Sequence, residues 1–395
     1  MLHISNPRER WLVRAADAAL GVVSAAARPF ARRRNAGAPP RILLLRLERI
    51  GDLVMALPAI RDVRVLAPDA EVDLVVGSWN AGLARAIPHV SAVMTADAAW
   101  LAREREGEGV AGLVARARGW RPRRYDLAIN FEPDIRSNLM AAASGAARTV
   151  GWASGGGGPV LDVALDYDPT AHTSANARRL VAAAFGRAAP ESARPLLSIP
   201  DQAAAAAAAR LRAVSARPLV GIHVSGGRPI KQWPVARFAE VAARLADLRG
   251  AALVATGGAA DRPLVDAFVA AVAPRPVVDA AGSEDLVETA ALIGRLDVLV
   301  TGDTGPMHLA SAMGTPVVAV FGPSDPARYA PQGTRDRIVR IDLPCSPCNR
   351  IRLPPARCVG HTPDCLAGLA AQQVVDAALD VLDAATARVP RAGRP

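Results

Sequence analysis

This sequence of 395 residues is poor in aromatic side chains and in cysteine. Phe, Trp and Tyr make up 4% of it, and there are four cysteines. Hydrophobic residues nevertheless make up 51%, chiefly Ala, Val and Leu, so we expect aliphatic, helix-rich cores rather than a disordered chain. The apolar run near the N-terminus is interrupted by Asp17 and is too short to span a bilayer. Arg14 together with Asp17 also does not suit a secretory signal.

Basic and aromatic residues interleaved to stack nucleic-acid bases are missing as well. The formal charge is +10, but seven arginines and two acidic residues in positions 1–35 supply half of that excess. The remainder of the chain is only mildly basic. The sequence therefore predicts no nucleic-acid partner, in spite of its net charge.

The basic N-terminal segment has an amphipathic pattern. A helix here would place six apolar residues near one face: Trp11, Leu12, Ala15, Ala19, Val22 and Val23. Arginines lie at both ends of the segment. Such a helix either lies on an anionic membrane surface or packs on the protein's own surface, and the sequence leaves both interpretations open.

From Arg41 onward, strand-like and helix-like segments alternate in two rounds, which is typical of parallel sheets covered by helices. The strands predicted in the first round are Ile42–Leu47, Val72–Gly77, a short one near Val93, Tyr125–Phe131 and Arg148–Trp152. Those predicted in the second round are Pro218–Val224, Ala251–Gly257, Val277–Asp279, Asp297–Gly302 and Pro316–Gly322. We therefore predict an α/β protein with two Rossmann-like domains that face each other across a cleft.

Helices are predicted between these strands. They include Ala81–Ile87, Ala98–Ala117, Ile135–Ser144 and the alanine run 203–209, whereas Gly155–Pro159 is predicted as a loop. The predicted parts of the chain are a basic extension with a linker (1–40), a first Rossmann-like domain (41–195), a second one (196–344), a cysteine-rich segment (345–366), and a closing helix with a frayed tail (367–395).

Three loops at predicted strand ends carry candidate site residues, because ligands of open parallel sheets bind beyond the carboxyl ends of the strands. The first loop contains Gly51 and Asp52. Gly51 permits a tight turn or the close approach of a ligand, and Asp52 either caps the following helix or acts as a general base. The loop lacks the G-x-G-x-x-G pattern, which argues against an NAD enzyme.

The second loop precedes a helix that starts near Pro234. Its candidate residues are Ser225, Gly226, Gly227 and Lys231. Small residues let backbone N–H groups approach phosphate oxygens, and a lysine adds a positive charge, so the pattern favours a phosphate site. It is not a Walker P-loop. Trp233 is predicted to pack at the start of the helix rather than to bind a ligand.

The third loop places Asp303 at a strand end, directly before a helix. Pro306 suits the first helical turn, and either Asp303 or Thr304 can cap it. The N–H groups of that turn favour an anion such as a diphosphate, and His308 lies close to them in sequence. Capping and ligand binding both remain open for Asp303.

Together these spaced residues resemble glycosyltransferase family 9, the bacterial ADP-heptose:lipopolysaccharide heptosyltransferases. The matching set runs in order within residues 41–385: Gly51-Asp52 with Pro58, Lys231-Gln232-Trp233-Pro234, and Asp303-Thr304-Gly305 with His308, Ala310 and Pro316. The resemblance implies a GT-B fold, in which the first domain binds the acceptor and the second binds the nucleotide sugar. It also implies an inverting transfer that needs no metal or other cofactor.

The resemblance further implies roles for the matching positions. Asp52 corresponds to the catalytic base, which takes the proton from the acceptor hydroxyl. Lys231 corresponds to the residue that neutralises the leaving diphosphate. The other positions that correspond to donor-binding residues are Ser225, Gly226, Gly227, Asp303, Thr304, Gly305 and His308.

Two more loops match the family less closely. Arg136 and Ser137 correspond to a position near the acceptor, as does Gly51, but a surface salt bridge suits Arg136 equally well. Gly258 and Asp261 occupy the next strand-end loop, where the family contacts the adenosine ribose. The acidic residue that is usual in the family is not aligned there, which is a departure from the family pattern at the nucleotide.

All four cysteines fall in one segment, as Cys345, Cys348, Cys358 and Cys365. Their spacing, C-x2-C-x9-C-x6-C, resembles a structural four-thiolate zinc or iron–sulfur site. Disulfides are disfavoured in a chain without a secretory signal. We therefore predict a structural metal site that the chemistry does not need, with free thiols as the alternative.

The predicted function is transfer of a heptose or related sugar from an ADP-sugar to a lipopolysaccharide core or related cell-envelope glycan. The predicted partners are ADP-heptose and an anionic glycolipid, and the predicted location is the cytoplasm, in peripheral contact with the inner membrane. The alternative is a non-catalytic sugar-nucleotide or glycan-binding protein, or a family member with another donor or acceptor. Asp52 and Lys231 together favour an enzyme, because binding alone needs no base.

Overall fold

The computed structural model describes Leu2 and residues 6–27, 40–102, 107–212, 214–215, 217–283 and 285–386. The chain divides into two units, Met1–Ser198 and Ile199–Pro395. Positions 35–39 of the predicted linker and the predicted basic tail at 388–395 lie outside the described residues.

The first unit is built on a six-stranded parallel sheet. Its helices and strands are, in chain order, α1 (Pro7–Ala27), β1 (Arg41–Arg46), α2 (Ile50–Leu66), β2 (Glu71–Val76), α3 (Ala81–Arg85), β3 (Ala92–Thr95), α4 (Val110–Arg118), β4 (Leu127–Asn130), α5 (Ile135–Ala143), β5 (Thr149–Trp152), β6 (Val163–Leu165) and α6 (Thr173–Phe185). The strand order is β3-β2-β1-β4-β5-β6. In such a doubly wound sheet the winding reverses between β1 and β4, and ligands bind beyond the strand ends at that switch point.

The second unit has the same design. Its helices and strands are α7 (Asp201–Leu211), β7 (Leu219–His223), α8 (Val235–Arg249), β8 (Ala252–Thr256), α9 (Arg262–Val272), β9 (Val277–Asp279), α10 (Leu286–Ile293), β10 (Val298–Gly302), α11 (Gly305–Met313), β11 (Val317–Val320), α12 (Pro326–Tyr329), β12 (Arg337–Val339), α13 (Asp364–Ala367) and α14 (Ala371–Thr386). The strand order is β12-β11-β10-β7-β8-β9, so β7 and β10 occupy the places that β1 and β4 hold in the first unit. The duplicated architecture that the sequence predicted is present, and the second switch point lies between β7 and β10.

The central strands are continuous apolar runs because helices cover both faces of each sheet. In β1, Leu43, Leu44 and Leu45 are fully buried, and in β10 Val298, Leu299 and Val300 are equally enclosed. This burial holds the strand ends, and therefore the loops that follow them, in fixed positions.

Several predicted elements are confirmed, and others differ. The alanine run forms α7, and Trp233 packs edge-on against Phe238 at the start of α8, with ring centroids 4.8 Å apart. The predicted helix Ala98–Ala117 is wrong at 98–102 and 107–109, because α4 begins only at Val110, and its positions 103–106 lie outside the described residues. Before it, Ala98 forms a bridge with Glu108.

A glycine beside this bridge allows its two segments to pack closely. A Cβ atom at Gly107 would lie 2.5 Å from the backbone of Ala99, so only glycine permits the two segments to approach so closely. The three-residue edge strands β6 and β12, and helix α6, were not predicted from the sequence. The edge strands are too short, and too mixed in burial, to give a periodic signal.

Helix α1 packs on the rest of the first unit through the side that carries Asp17. The Gly157 N–H donates a hydrogen bond to Asp17 Oδ1 at 2.6 Å, and Val13 lies against Gly156. The opposite side of α1 carries exposed apolar side chains, of which Trp11 is 69%, Leu12 61% and Val22 74% exposed. In the part of the chain that the structure describes, no helix is both long and apolar enough to cross a membrane.

Candidate active site

The switch point of the first unit holds one arginine between two carboxylates. Arg46 ends β1, Asp52 lies in the first turn of α2, and Glu132 follows β4. Arg46 Nη2 lies 3.3 Å from Asp52 Oδ1, and Arg46 Nη1 lies 3.2 Å from Glu132 Oε2. A single guanidinium therefore bridges the candidate base and a second acid.

Backbone groups complete this cluster. Arg46 Nε donates to the Asp52 carbonyl at 3.0 Å, and Arg46 Nη1 also donates to the Phe131 carbonyl at 3.2 Å. The Glu48 N–H donates to Glu132 Oε1 at 3.1 Å. The side chains of Arg46 and Glu132 are 6% and 5% exposed, whereas that of Asp52 is 32% exposed. Asp52 is therefore the member of the cluster that a substrate can reach.

Burial dominates the electrostatics of Glu132. It raises the pKa of this carboxyl to about 7, with further raising by Glu48 and Asp52, although Arg46 and the Glu48 N–H favour the ionised form. Burial tends to lower the pKa of Arg46, but the surrounding acids outweigh it and the net pKa is raised. Arg46 therefore stays positively charged, while Glu132 can change its charge near neutral pH.

Asp52 does not occupy the N-cap position of α2, which was the alternative to its role as a base. The N-cap position of α2 is Arg49, which makes no side-chain capping hydrogen bond, and Gly51 and Asp52 lie in the first turn. The carboxylate of Asp52 faces Arg46 instead. Its role as a base remains a prediction, but its position at a switch point and its exposure suit that role.

The switch point of the second unit also holds an ion pair. Lys231, in a short 3₁₀ turn after β7, places Nζ 3.0 Å from Asp303 Oδ2 and also donates to the Asp303 carbonyl. The side chains are 18% and 11% exposed. Of the 47 lysine and arginine residues in the sequence, only residue 231 is a lysine.

Asp303 is ionised in spite of its burial. Burial raises its pKa, but Lys231, a hydrogen bond from Ser324, and His308 lower it more, so that the net shift is downward. Thr304 takes the N-cap position of α11 without a side-chain capping bond, and its hydroxyl lies 3.1 Å from that of Thr301. Asp303 is thus a partner of Lys231 rather than a helix cap.

The N–H groups of Gly226 and Gly227 in the predicted phosphate loop already donate hydrogen bonds to side-chain oxygens. The Gly226 N–H donates to Gln232 Oε1 at 2.7 Å, and the Gly227 N–H donates to Ser225 Oγ at 3.2 Å. A Cβ atom at Gly226 would lie 2.7 Å from the backbone of Lys231, so glycine is required there by close approach. The loop is therefore built to hold Lys231, and phosphate binding by its N–H groups would need these bonds to exchange.

The neighbouring loop after β8 is also internally bonded. The Gly258 N–H donates to Asp261 Oδ2 at 2.9 Å, which ties Asp261 to its own turn. A shallow pocket adjoins the end of β8, and its lining includes Gly257, Ser283 and Glu288. Glu288 brings a carboxylate to this strand-end region, where the sequence pattern left the acidic residue unassigned.

Arg136 and Ser137 differ in their availability. Arg136 forms an ion pair with Asp134 and lies over the Trp100 ring, 3.8 Å from its centroid. Ser137 is buried, and its hydroxyl accepts from Asn130 Nδ2 and donates to the Asp134 carbonyl. The salt bridge considered for Arg136 is therefore present, and Ser137 is bonded inside the domain.

The cysteines do not form the predicted metal centre. Cys345 is exposed, Cys348 and Cys358 are partly buried, and Cys365 is buried. Among the described residues, which include all four, there is no group of three or more His, Cys, Asp or Glu side chains arranged to hold a metal ion. Burial raises the pKa of Cys365 to about 11, and the neighbouring thiols of Cys348, Cys345 and Cys358 raise it further.

Three residues of the two clusters were not singled out from the sequence: Arg46, Glu132 and Ser324. A signal for them existed, because each ends or shortly follows a strand next to a switch point, as Asp52, Lys231 and Asp303 do. What the sequence did not contain was the strand order, which brings these ends together.

Comparison with known proteins places the chain in a family. The model of glycosyltransferase family 9 (heptosyltransferase) matches residues 114–355. Lipopolysaccharide heptosyltransferase 2 of Salmonella typhimurium is 26% identical over 316 residues, which cover 76% of this chain and 88% of that protein.

Two solved structures have the same fold. The glycosyl transferase family 9 protein of Veillonella parvula superposes with a TM-score of 0.75 at 23% identity, covering 89% of this chain and 100% of its own. ADP-heptose lps heptosyltransferase II of E. coli gives 0.70 at 22% identity, covering 88% and 99%. The predicted GT-B architecture is thereby confirmed. Since the family model spans more than half of the sequence, this chain belongs to glycosyltransferase family 9, the heptosyltransferases, and is a glycosyltransferase.

Proposed function

We propose that this enzyme transfers a heptose from ADP-heptose to a sugar hydroxyl of a lipopolysaccharide core, with inversion at the anomeric carbon and without a metal ion. The observation that carries the proposal is the pair of switch-point clusters, a reachable carboxylate at Asp52 and a cation at Lys231, in a chain of this family. The relative from Salmonella typhimurium is a lipopolysaccharide heptosyltransferase, and that from E. coli is an ADP-heptose enzyme, which supports this choice of substrates.

In the proposed reaction, the acceptor O–H bond breaks and its proton passes to the Asp52 carboxylate. The acceptor oxygen forms a bond to the anomeric carbon while the bond from that carbon to the diphosphate oxygen breaks. The bonding electrons leave with ADP, which gains one negative charge. Attack from the face opposite the leaving group inverts the configuration, and a positioned base contributes roughly 100- to 10,000-fold to the rate.

Lys231 is proposed to balance the charge on the departing ADP. An ammonium has three donors, and Asp303 accepts from two of them. The first turn of α11, which begins at Gly305, adds N–H groups and the positive end of a helix dipole. We assign Asp303 to the donor-sugar hydroxyls, with Thr304, Gly305 and His308 beside the phosphates. Transfer undiminished by a chelator supports the metal-free mechanism, and loss that a divalent ion restores contradicts it.

The function is tested with ADP-heptose and a panel of truncated lipopolysaccharides, with product mass as the measurement. We expect one heptose to be added, and Asp52→Asn to lower turnover by about 100-fold or more with nearly unchanged ADP affinity. Asp62→Asn is the matched control, because Asp62 lies in the same helix, is buried, and forms an ion pair at 2.6 Å with the partly exposed Arg178. It should retain activity. Transfer from another nucleotide sugar only, or full activity of Asp52→Asn, would contradict the proposal.

We also propose that α1 contacts the cytoplasmic face of the inner membrane, where the lipid-linked acceptor lies. Its Asp17 side packs on the first unit, while Trp11, Leu12 and Val22 point outward, and Arg8 and Arg14 are also exposed. Exposed apolar groups flanked by arginines suit an anionic interface, where an indole ring is well placed.

Co-sedimentation with vesicles tests this contact. We expect binding to vesicles that contain phosphatidylglycerol and weaker binding to pure phosphatidylcholine. Substituting Trp11→Ser and Leu12→Ser together should abolish binding, whereas Leu248→Ser, at an equally apolar exposed site on α8, should not. Equal binding by both variants would remove α1 as the contact.

A further inference from the structure

Glu132 is buried directly behind the candidate base, and the chemistry proposed above gives it no part. It cannot touch a substrate from there, since its side chain is 5% exposed. Its Oε2 accepts a hydrogen bond from Arg46 Nη1, and its Oε1 accepts one from the Glu48 N–H. Both carboxylate oxygens therefore bind the segment between the end of β1 and α2, the helix that carries Asp52.

The charge of Arg46 acts on Asp52 in two opposed ways. The guanidinium orients the carboxylate through a contact at 3.3 Å, but it also favours the ionised form that must take up a proton during transfer. A second carboxylate on the same guanidinium offsets part of that positive charge. The geometry supplies this second carboxylate on the buried side of Arg46, at 3.2 Å.

We propose that Glu132 is a positioning residue for glycosyl transfer: it fixes the Arg46 fork and shares its charge, so that Asp52 is held in place yet still accepts the proton of the acceptor. This inference rests on the proposed function, because it presumes that Asp52 is the base. In this arrangement Arg46 orients Asp52, while Glu132 fixes Arg46 and offsets part of its charge, so both residues are needed.

A pH dependence follows from the groups that face this cluster. Glu132 faces Arg46, Glu48 and Asp52, and Arg46 also interacts with Tyr167. The pKa of Glu132 is raised to about 7, so that below this value Glu132 becomes neutral and Arg46 acts on Asp52 alone. Proton uptake by Asp52 is then opposed, and turnover falls as the pH drops through about 7.

The test is the pH profile of kcat at saturating substrates, from about pH 5.5 to about pH 9, for the unmodified protein and four variants. For the unmodified enzyme we expect an acid limb near pH 7. Glu132→Gln should lack this limb and should have kcat lowered about 10- to 100-fold at alkaline pH with little change in KM. Glu132→Asp should restore part of the limb. Asp62→Asn, which breaks a different ion pair of a buried carboxylate, should keep the limb where the unmodified enzyme has it.

Two results would overturn the inference. One is Glu132→Gln with the kcat and acid limb of the unmodified enzyme. The other is an unmodified enzyme whose kcat is flat from about pH 6 to about pH 8, which decides the matter even if the variant does not fold. Asp52→Asn in the same series separates the two proposals. Full activity of Asp52→Asn sinks the base assignment, whereas an inactive Asp52→Asn beside an unaltered Glu132→Gln sinks only the role of Glu132.

Discussion

The two switch points have the same topology and different ion pairs. In each unit a cation from the first strand or its loop meets a carboxylate that follows the fourth strand, as Arg46 meets Glu132 and Lys231 meets Asp303. In the first unit the arginine serves a second carboxylate, Asp52. In the second unit the lysine donates again to the carbonyl of the same Asp303.

The difference matches the two proposed tasks. A guanidinium is a planar fork that can hold two carboxylates at once and does not lose its proton, which suits a rigid support for a base. An ammonium is a compact charge with three donors that can turn toward a new partner, which suits a diphosphate that arrives and leaves. The only lysine of the sequence stands at the second position.

The largest loss of stability is expected from removing the Arg46 guanidinium. Arg46→Met leaves Glu132 without its cation inside the protein, and breaking a buried ion pair typically costs about 3–5 kcal/mol of unfolding free energy. Calorimetry should show a lowered Tm. Arg41→Met is the matched control, because Arg41 begins the same strand in an exposed pair with Glu71, and such pairs contribute about 1 kcal/mol or less. Equal losses in the two variants would show that burial of Arg46 does not matter.

The next effect tests the lysine. An amine-selective acylating reagent can modify only Lys231 and the N-terminal amine, since no other lysine exists. We expect acylation to lower turnover by about tenfold or more, because the charge that stabilises the leaving diphosphate is lost. ADP should protect against it. A Lys231→Arg variant should be insensitive to the reagent, and activity lost there to the same extent would place the effect elsewhere.

The two units should respond oppositely to pH. The pKa of Glu132 is raised from 4.5 to about 7, so the folded state binds this proton more tightly and stability falls as the pH rises through that range. The pKa of Asp303 is lowered from 3.8, so its contribution is present above that value and is lost as the pH falls. Tm should therefore depend less on pH between 4.5 and about 7 in Glu132→Gln, and less on pH below 3.8 in Asp303→Asn. The same pH dependence in either variant as in the unmodified protein would refute the corresponding shift.

The smallest effect concerns Ser324, which supports Asp303 much as the Glu48 N–H supports Glu132. Removing one hydrogen bond to a charged group costs about 1.5–3 kcal/mol at most, and less where Lys231 remains. Ser324→Ala should lower Tm slightly and move the acid transition of Asp303 to higher pH. An unchanged acid transition would mean that Lys231 alone keeps Asp303 ionised.

The sequence predicted the strands that flank both sites, because they are apolar runs buried on both faces. It also predicted Asp52, Lys231 and Asp303 from their places after those strands. The sequence did not predict which of these residues form ion pairs. Arg46 and Glu132 are 86 positions apart in the sequence, and Lys231 and Asp303 are 72 apart. Only the strand order makes them neighbours, and no local pattern contains that order.

The cysteine segment shows the opposite case. Its spacing is a strong local pattern, yet the four thiols differ in exposure and do not surround a metal position in the described structure. Local spacing indicates a site only when the surrounding fold brings the side chains to one point. Conversely, the Trp233–Phe238 contact was predictable because both residues belong to one helix start.

The long sequence separation of each ion pair has a consequence for the order in which the protein is made. β1 leaves the ribosome well before β4, and β7 well before β10, so neither pair can form until most of its unit has been synthesised. Non-local contacts of this kind are completed late in folding, because the intervening chain must be ordered first. A nascent or truncated unit would carry Arg46 or Lys231 without its partner, and each cluster is therefore assembled only in a nearly finished unit.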